Sequence, residues 1–192
     1  MRAKLLAIAG AFCAAVFASP ASAYQIDPLT RQPLDAQPES FKTQATAIPR
    51  EVVSYTGPYK PGTIIVSTRE RRLYLVQPGG VAIRYGIGVG RPGFTWAGAK
   101  TITQKREWPG WTPPPQMLKR RPDLPRHMAG GPDNPLGARA LYLGSSLYRI
   151  HGSNEPDTIG QAVSSGCIRM MNADVIDLYD RVNVGTRVIV QR

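Results

Sequence analysis

Apolar and polar residues alternate most clearly in the middle of the chain. Residues 63–67, 72–76 and 81–89 are short runs rich in Val, Ile, Leu and Tyr, the last two separated by Pro78-Gly79-Gly80. Such runs between turn residues predict successive β-strands. Residues 100–106, 138–143, 148–151 and 187–190 extend the series. Helical spacing is clear in one place, where Val175, Leu178, Tyr179 and Val182 follow Asn172 as the predicted N-cap. The pattern predicts a mostly β domain, sandwich-like or barrel-like, with a minor helix after Cys167.

Three segments stand outside this pattern. Residues 108–135 are rich in proline, glycine and basic side chains, and so long a connection in a compact domain predicts a functional excursion such as a lid. Residues 24–59 carry Pro28, Pro33, Pro38, Pro49 and Pro58 among polar neighbours, a composition that predicts a flexible linker. Residues 1–23 begin with Arg2 and Lys4, continue through an apolar run and close on Ala21-Ser22-Ala23. That order predicts a cleaved signal peptide and an exported, periplasmic protein. The apolar run is roughly 13 residues against the roughly 20 of a spanning helix, and no later stretch predicts an integral membrane segment. One domain over residues 60–192 is the expected organisation.

Charge and cysteine usage narrow the function. The net charge of +11 falls by two, to +9, once Arg2 and Lys4 are removed, which favours an anionic partner. The basic residues form small clusters, as in Arg69, Arg71, Arg72 and Lys119, Arg120, Arg121. They do not form one stripe with interleaved aromatics, so nucleic acid is not the expected partner. Of the two cysteines, Cys13 lies in the signal segment. Cys167 is then a lone thiol in an exported protein, either a reactive nucleophile or an inert core residue. His127 has no Cys or carboxylate cluster around it, so neither metal nor other cofactor is expected. Gly86-x-Gly88-x-Gly90 precedes no helix and does not predict a nucleotide site.

The candidate chemistry lies in two segments, 150–154 and 164–170, which set His151 and Cys167 16 positions apart. An imidazole that accepts the thiol proton makes a strong nucleophile. Gly166 is expected to free the backbone so that its N–H, with that of Cys167, points at a developing oxyanion. Arg169 places a permanent cation beside the turn, for the thiolate or for a substrate carboxylate. Trp108, Trp111 and Met117 are candidates for lining a groove, and of Tyr142 and Tyr148 at least one is expected to face the site.

Ile150-His151-Gly152-Ser153-Asn154-Glu155-Pro156, Ile159-Gly160, Ser164 to Met170, Asn172 and Asp174-Val175 together resemble the signature of L,D-transpeptidases with a YkuD-type catalytic domain. The resemblance implies Cys167 as nucleophile, His151 as base and Gly152 as the carbonyl that fixes the imidazole tautomer. Ser153 stands where Thr is more usual, and Ser165 where many members carry a second histidine. Thr95-Trp96-Ala97-Gly98 lacks the proline of the family pattern. Substrate-binding candidates are Arg169, Ser165, Ser153, Tyr142 and Trp108. The implied reaction is acyl transfer from peptidoglycan stem peptides, with a stem amine or an envelope protein as acceptor. Alternatives are an L,D-carboxypeptidase using water and a non-catalytic wall-binding domain.

Overall fold

The computed structural model describes residues 48–192. The expected signal peptide, and the expected linker up to residue 47, lie outside the described residues. In chain order the elements are β1 (Glu51–Ser54), β2 (Ile64–Ser67), β3 (Arg72–Gln77), β4 (Val81–Gly86), β5 (Val89–Gly90) and β6 (Gly98–Glu107). They continue with α1 (Pro115–Arg120), β7 (Arg139–Leu143), β8 (Arg149–His151), β9 (Ala162–Ser164), β10 (Ile168–Arg169), α2 (Asn172–Arg181) and β11 (Arg187–Gln191).

The expectation of a mostly β domain with a minor helix after Cys167 holds. The layout is one nine-stranded sheet, ordered β1-β4-β3-β2-β11-β6-β7-β8-β10, with β5 and β9 paired separately. It curls because β6 serves two neighbours in turn. Its first residues, Gly98 to Thr101, pair with β11, and those from Ile102 to Glu107 pair with β7 across a bulge between Ile102 and Gln104. A bulge bends the strand and adds twist, so the sheet folds around β6 into a half-barrel. Inward residues such as Leu73, Leu75, Leu141, Leu143, Val188 and Ile150 fill the concave side. Val175 and Leu178 of α2 are fully buried in the same core.

Lys105 of β6 ties the helix down. Its Nζ donates at 2.7 Å to the carbonyls of both Tyr179 and Val182, satisfying acceptors that a helix end leaves open. The other end corrects the sequence reading. Met171 occupies the cap position without a side-chain cap bond, and Asn172 is the first helical residue. Its side chain points to the site instead.

Three further differences have physical causes. The predicted strand over 81–89 is broken after Gly86, because Gly88 turns to exchange hydrogen bonds with Arg169. A Cβ there would stand 2.7 Å from the Thr158 carbonyl, so only glycine passes at that distance. Secondly, part of the predicted 24–59 linker is ordered. β1 pairs with β4 through main-chain bonds, while Arg50 forms an ion pair with Asp177 at 3.1 Å and reaches Asp174 at 3.9 Å. The strand buries little, so hydropathy carries no trace of it. Lastly, the excursion contains α1, a single short helix with no buried residue and hence no apolar stripe to read.

Candidate active site

His151 ends β8, an inner strand of the sheet, and β10 lies parallel beside it with Ile168 opposite Ile150 and Arg169 opposite His151. Continuing this register back one step brings Cys167 beside Arg149. The sheet thus converts a separation of 16 residues in sequence into neighbouring strands. Both side chains line one groove of about 550 Å3. A second cavity of about 610 Å3 adjoins it, sharing Trp111, Met117, Arg120, Ser165 and Arg169.

The ring of His151 is buried, and its Nδ1 lies 2.6 Å from the Gly152 carbonyl. A carbonyl oxygen only accepts, so Nδ1 carries the proton and Nε2 keeps its lone pair. Burial, and then the charges of Arg169 and Arg149, push the imidazole pKa down to about 3, against the Gly152 bond that supports the cation. Burial likewise pushes the Cys167 thiol up, while the Arg149 backbone and guanidinium and the more distant Arg169 pull it down. The thiol lies 3.6 Å from the Leu147 carbonyl. Both shifts favour the uncharged pair, a thiol beside a neutral imidazole.

Asn172 holds the histidine strand in register. Its Oδ1 accepts from the N–H of Ala138 at 2.9 Å and of Ser153 at 3.3 Å, and its Nδ2 donates to the Ser153 carbonyl at 3.0 Å. Gly152 is needed for this approach, since a Cβ would overlap Asn172 Oδ1 at 2.1 Å. Ser153 is buried, and its hydroxyl accepts from the Glu155 N–H at 2.9 Å. It does not line either cavity, which corrects its assignment as a substrate contact.

The cysteine turn is held by side chains. Ser164 Oγ donates to the Cys167 carbonyl at 2.6 Å and accepts the Gly166 N–H at 3.1 Å. The Gly166 amide is therefore spent within the turn, correcting the expectation that it serves an oxyanion. Its φ of 106° demands glycine, and a Cβ would stand 2.6 Å from the Tyr148 ring. Trp96 stacks on Tyr148 with centroids 4.6 Å apart and donates Nε1–H to the Gly166 carbonyl at 2.8 Å. Trp96 is thus a strut for the cysteine turn.

The remaining candidates divide. Ser165 lines both cavities and accepts from Arg91 at 3.3 Å. Arg169 also lines both, but its guanidinium is held by Glu155 at 2.6 Å and by Thr158 at 3.3 Å. Tyr142 lies under the Arg149 guanidinium at 5.0 Å, and Tyr148 is the tyrosine that faces the groove. Trp108 lines neither cavity; its N–H bonds the Ala138 carbonyl at 2.9 Å, whereas Trp111 and Met117 do line the groove.

The sequence profile of the YkuD L,D-transpeptidase catalytic domain matches residues 61–190. The chain belongs to the L,D-transpeptidase family. Among curated relatives, the probable L,D-transpeptidase ErfK/SrfK of Escherichia coli K12 is 42% identical over 134 residues, covering 65% of this chain and 42% of that protein. The chain spans about two-fifths of the length of such relatives. An L,D-transpeptidase from Mycobacterium smegmatis shares the fold with a TM-score of 0.55, at 20% identity over 68% of this chain and 58% of that one. A Brucella melitensis structure described as a probable carnitine operon oxidoreductase is 46% identical, covering 79% of this chain and 98% of that one, with a TM-score of 0.52.

The pattern in sequence did not single out the bonds made by Ser164, Trp96 and Asn172. Ser164 and Asn172 lie inside the signature and are readable as conspicuous polar residues. Nothing in the sequence joined Trp96 to Gly166, a contact across 70 positions.

Proposed function

We propose that this L,D-transpeptidase-family chain catalyses acyl transfer on peptidoglycan stem peptides through a thioester on Cys167. The observation that carries the reading is the commitment of His151 Nδ1–H to Gly152, which leaves Nε2 as the proton acceptor in the groove shared with Cys167. As Sγ attacks the carbonyl of the L-centre of diaminopimelate, Nε2 takes the thiol proton. The Cys167 N–H supports the oxyanion, and the imidazolium returns its proton to the departing amine of the terminal D-Ala. An amine acceptor then attacks the thioester and regenerates the thiol.

A neutral resting pair suits this order, because charge separates only when substrate is in place and water has been displaced. The acceptor is the side-chain amine of a second stem or an amine of an envelope protein. The location follows from the sequence of residues 1–23: export to the periplasm with removal of that segment. Mass spectrometry of muropeptides incubated with the purified enzyme tests the reaction, with Cys167→Ala as control. Cross-linked products absent from the control are expected. Tripeptide stems without cross-links would assign water as acceptor, and unchanged muropeptides would overturn the reading.

A further inference from the structure

The arginine expected to hold a substrate carboxylate is already paired with an acid. Arg169 gives its guanidinium to Glu155. Two other arginines beside the site are differently placed. Arg91 stacks over the Phe94 ring at 4.1 Å from its centroid, and Arg120 approaches the same ring at 5.8 Å. Among the described residues, no carboxylate lies within ion-pair distance of either, whereas the neighbouring Arg121 is paired with Asp123. The cavity they line holds four arginines against two acidic residues, and one of those, Glu155, is committed to Arg169. Drawing two cations to one ring without a counter-charge is unfavourable unless an anion joins them.

We propose that Arg91 and Arg120 form a clamp for a free carboxylate located one residue beyond the scissile carbonyl. The proposal rests on the acyl-transfer reading and assigns to it the recognition of the departing residue. Arg91 is anchored by its bond to Ser165, two positions before the nucleophile. One residue of peptide spans about 3.8 Å, so with the substrate carbonyl at Cys167 the carboxylate of the next residue is within reach of Ser165, which lines both the groove and the second cavity. Phe94 lies against both guanidinium groups, and apart from the Arg91 N–H given to Ser165 their donors are not taken by any acid among the described residues, so a planar carboxylate can accept from them. Ser165 is thereby a positioning residue for Arg91. The clamp also accounts for the place of α1, which carries Arg120 into both cavities.

The test is calorimetric binding of a stem tetrapeptide, ending either in free D-Ala or in its carboxamide, to the full chain carrying Cys167→Ala so that no turnover intervenes. The free acid is expected to bind about tenfold more tightly than the amide. Arg91→Gln and Arg120→Gln should each reduce that preference, and the pair together should erase it. Arg91→Lys should retain part of it, since charge survives without the fork; it also serves as control for folding. Equal affinity for acid and amide, failure of the tetrapeptide to bind, or a preference that survives the double substitution would overturn the clamp. Turnover by the unsubstituted enzyme is read separately. An acid preference without any release of D-Ala would remove the acyl-transfer reading and leave the clamp standing.

Discussion

His151 lies on an inner strand of the sheet, with β7 on one side and β10 on the other, while Cys167 lies on a turn just before the edge strand. The histidine side is fixed mainly by backbone: the Met170 N–H bonds the His151 carbonyl at 2.8 Å, the Gly152 N–H bonds that of Arg139 at 3.0 Å, and Asn172 closes the remaining gaps. The cysteine side is fixed by side chains, Ser164 from within the turn and Trp96 from a distant segment. In the proposed reaction the base must keep one tautomer and one orientation, which a sheet supplies. The proposed nucleophile must approach and leave a carbonyl, and a turn held by a few replaceable bonds allows adjustment that a ladder does not. The contrast predicts that damage to the histidine side costs more stability than damage to the cysteine side.

The largest effect expected is from His151→Ala, which removes the base and should slow thioester formation on the order of 10³-fold, as followed by intact-protein mass against time. Next is Asn172→Ala. It strands two buried N–H groups and one carbonyl, and should cost about 3 kcal/mol in urea unfolding as well as much of the activity. Full activity and stability in this variant would erase the distinction between the two sides.

The acid side of the pH range tests the same buried histidine. Its folded pKa lies below the ordinary value of 6.5, so below pH 6.5 the unfolded chain binds a proton that the folded one refuses. Stability therefore falls as pH drops from 6.5 towards 3, by about 2 kcal/mol at pH 5. Asp174 works in the opposite direction: burial raises its carboxyl to about 6, so the folded form gains a proton first and is stabilised as pH falls through 6. Unfolding at pH 5 and 7 should show a steeper acid loss in Asp174→Asn than in the parent, and a reversed slope in His151→Ala. Parallel slopes in all three proteins would remove the assignment of these shifts.

On the cysteine side the effects are smaller. Ser164→Ala should lower the acylation rate by roughly tenfold and cost about 1.5 kcal/mol, since both bonds of its hydroxyl disappear. Trp96→Phe keeps the stack on Tyr148 and loses only the N–H bond to Gly166, so a cost of about 1 kcal/mol is expected, seen in kcat with little change in the melting temperature. A drop in stability as large as that of Asn172→Ala would place Trp96 in the core framework instead of the turn.

How far the sequence reached differs between regions for the same reason. The strands β2, β3 and β7 were legible from short apolar runs that they bury, β2 on both faces, and β6 from the alternation around Ile102, its one buried residue. β1 and α1 were not, because their positions follow from edge pairing and proline-rich loop geometry, with almost no buried side chain to mark them. At the site, Cys167, His151 and Gly152 were legible from a short motif whose residue types are dictated by the chemistry. Tyr142, Ser153 and Trp108 were misplaced because side-chain direction depends on register and on what packs behind, and Gly166 because its amide is claimed by a hydroxyl two residues away.

The sequence alone determined the strand-rich composition, the thiol and imidazole in one motif, and the glycines that stand beside each of them. Tertiary structure decided which tyrosine faces the groove, that no Cβ fits at Gly152 or Gly166, that Arg169 is paired with Glu155 while Arg91 and Arg120 have no acid partner among the described residues, and that Trp96 supports the cysteine turn. The division has a physical basis. Periodicity and turn chemistry are local properties of a chain, whereas burial, charge pairing and hydrogen-bond partnership belong to residues brought together across many positions by a sheet that closes around β6.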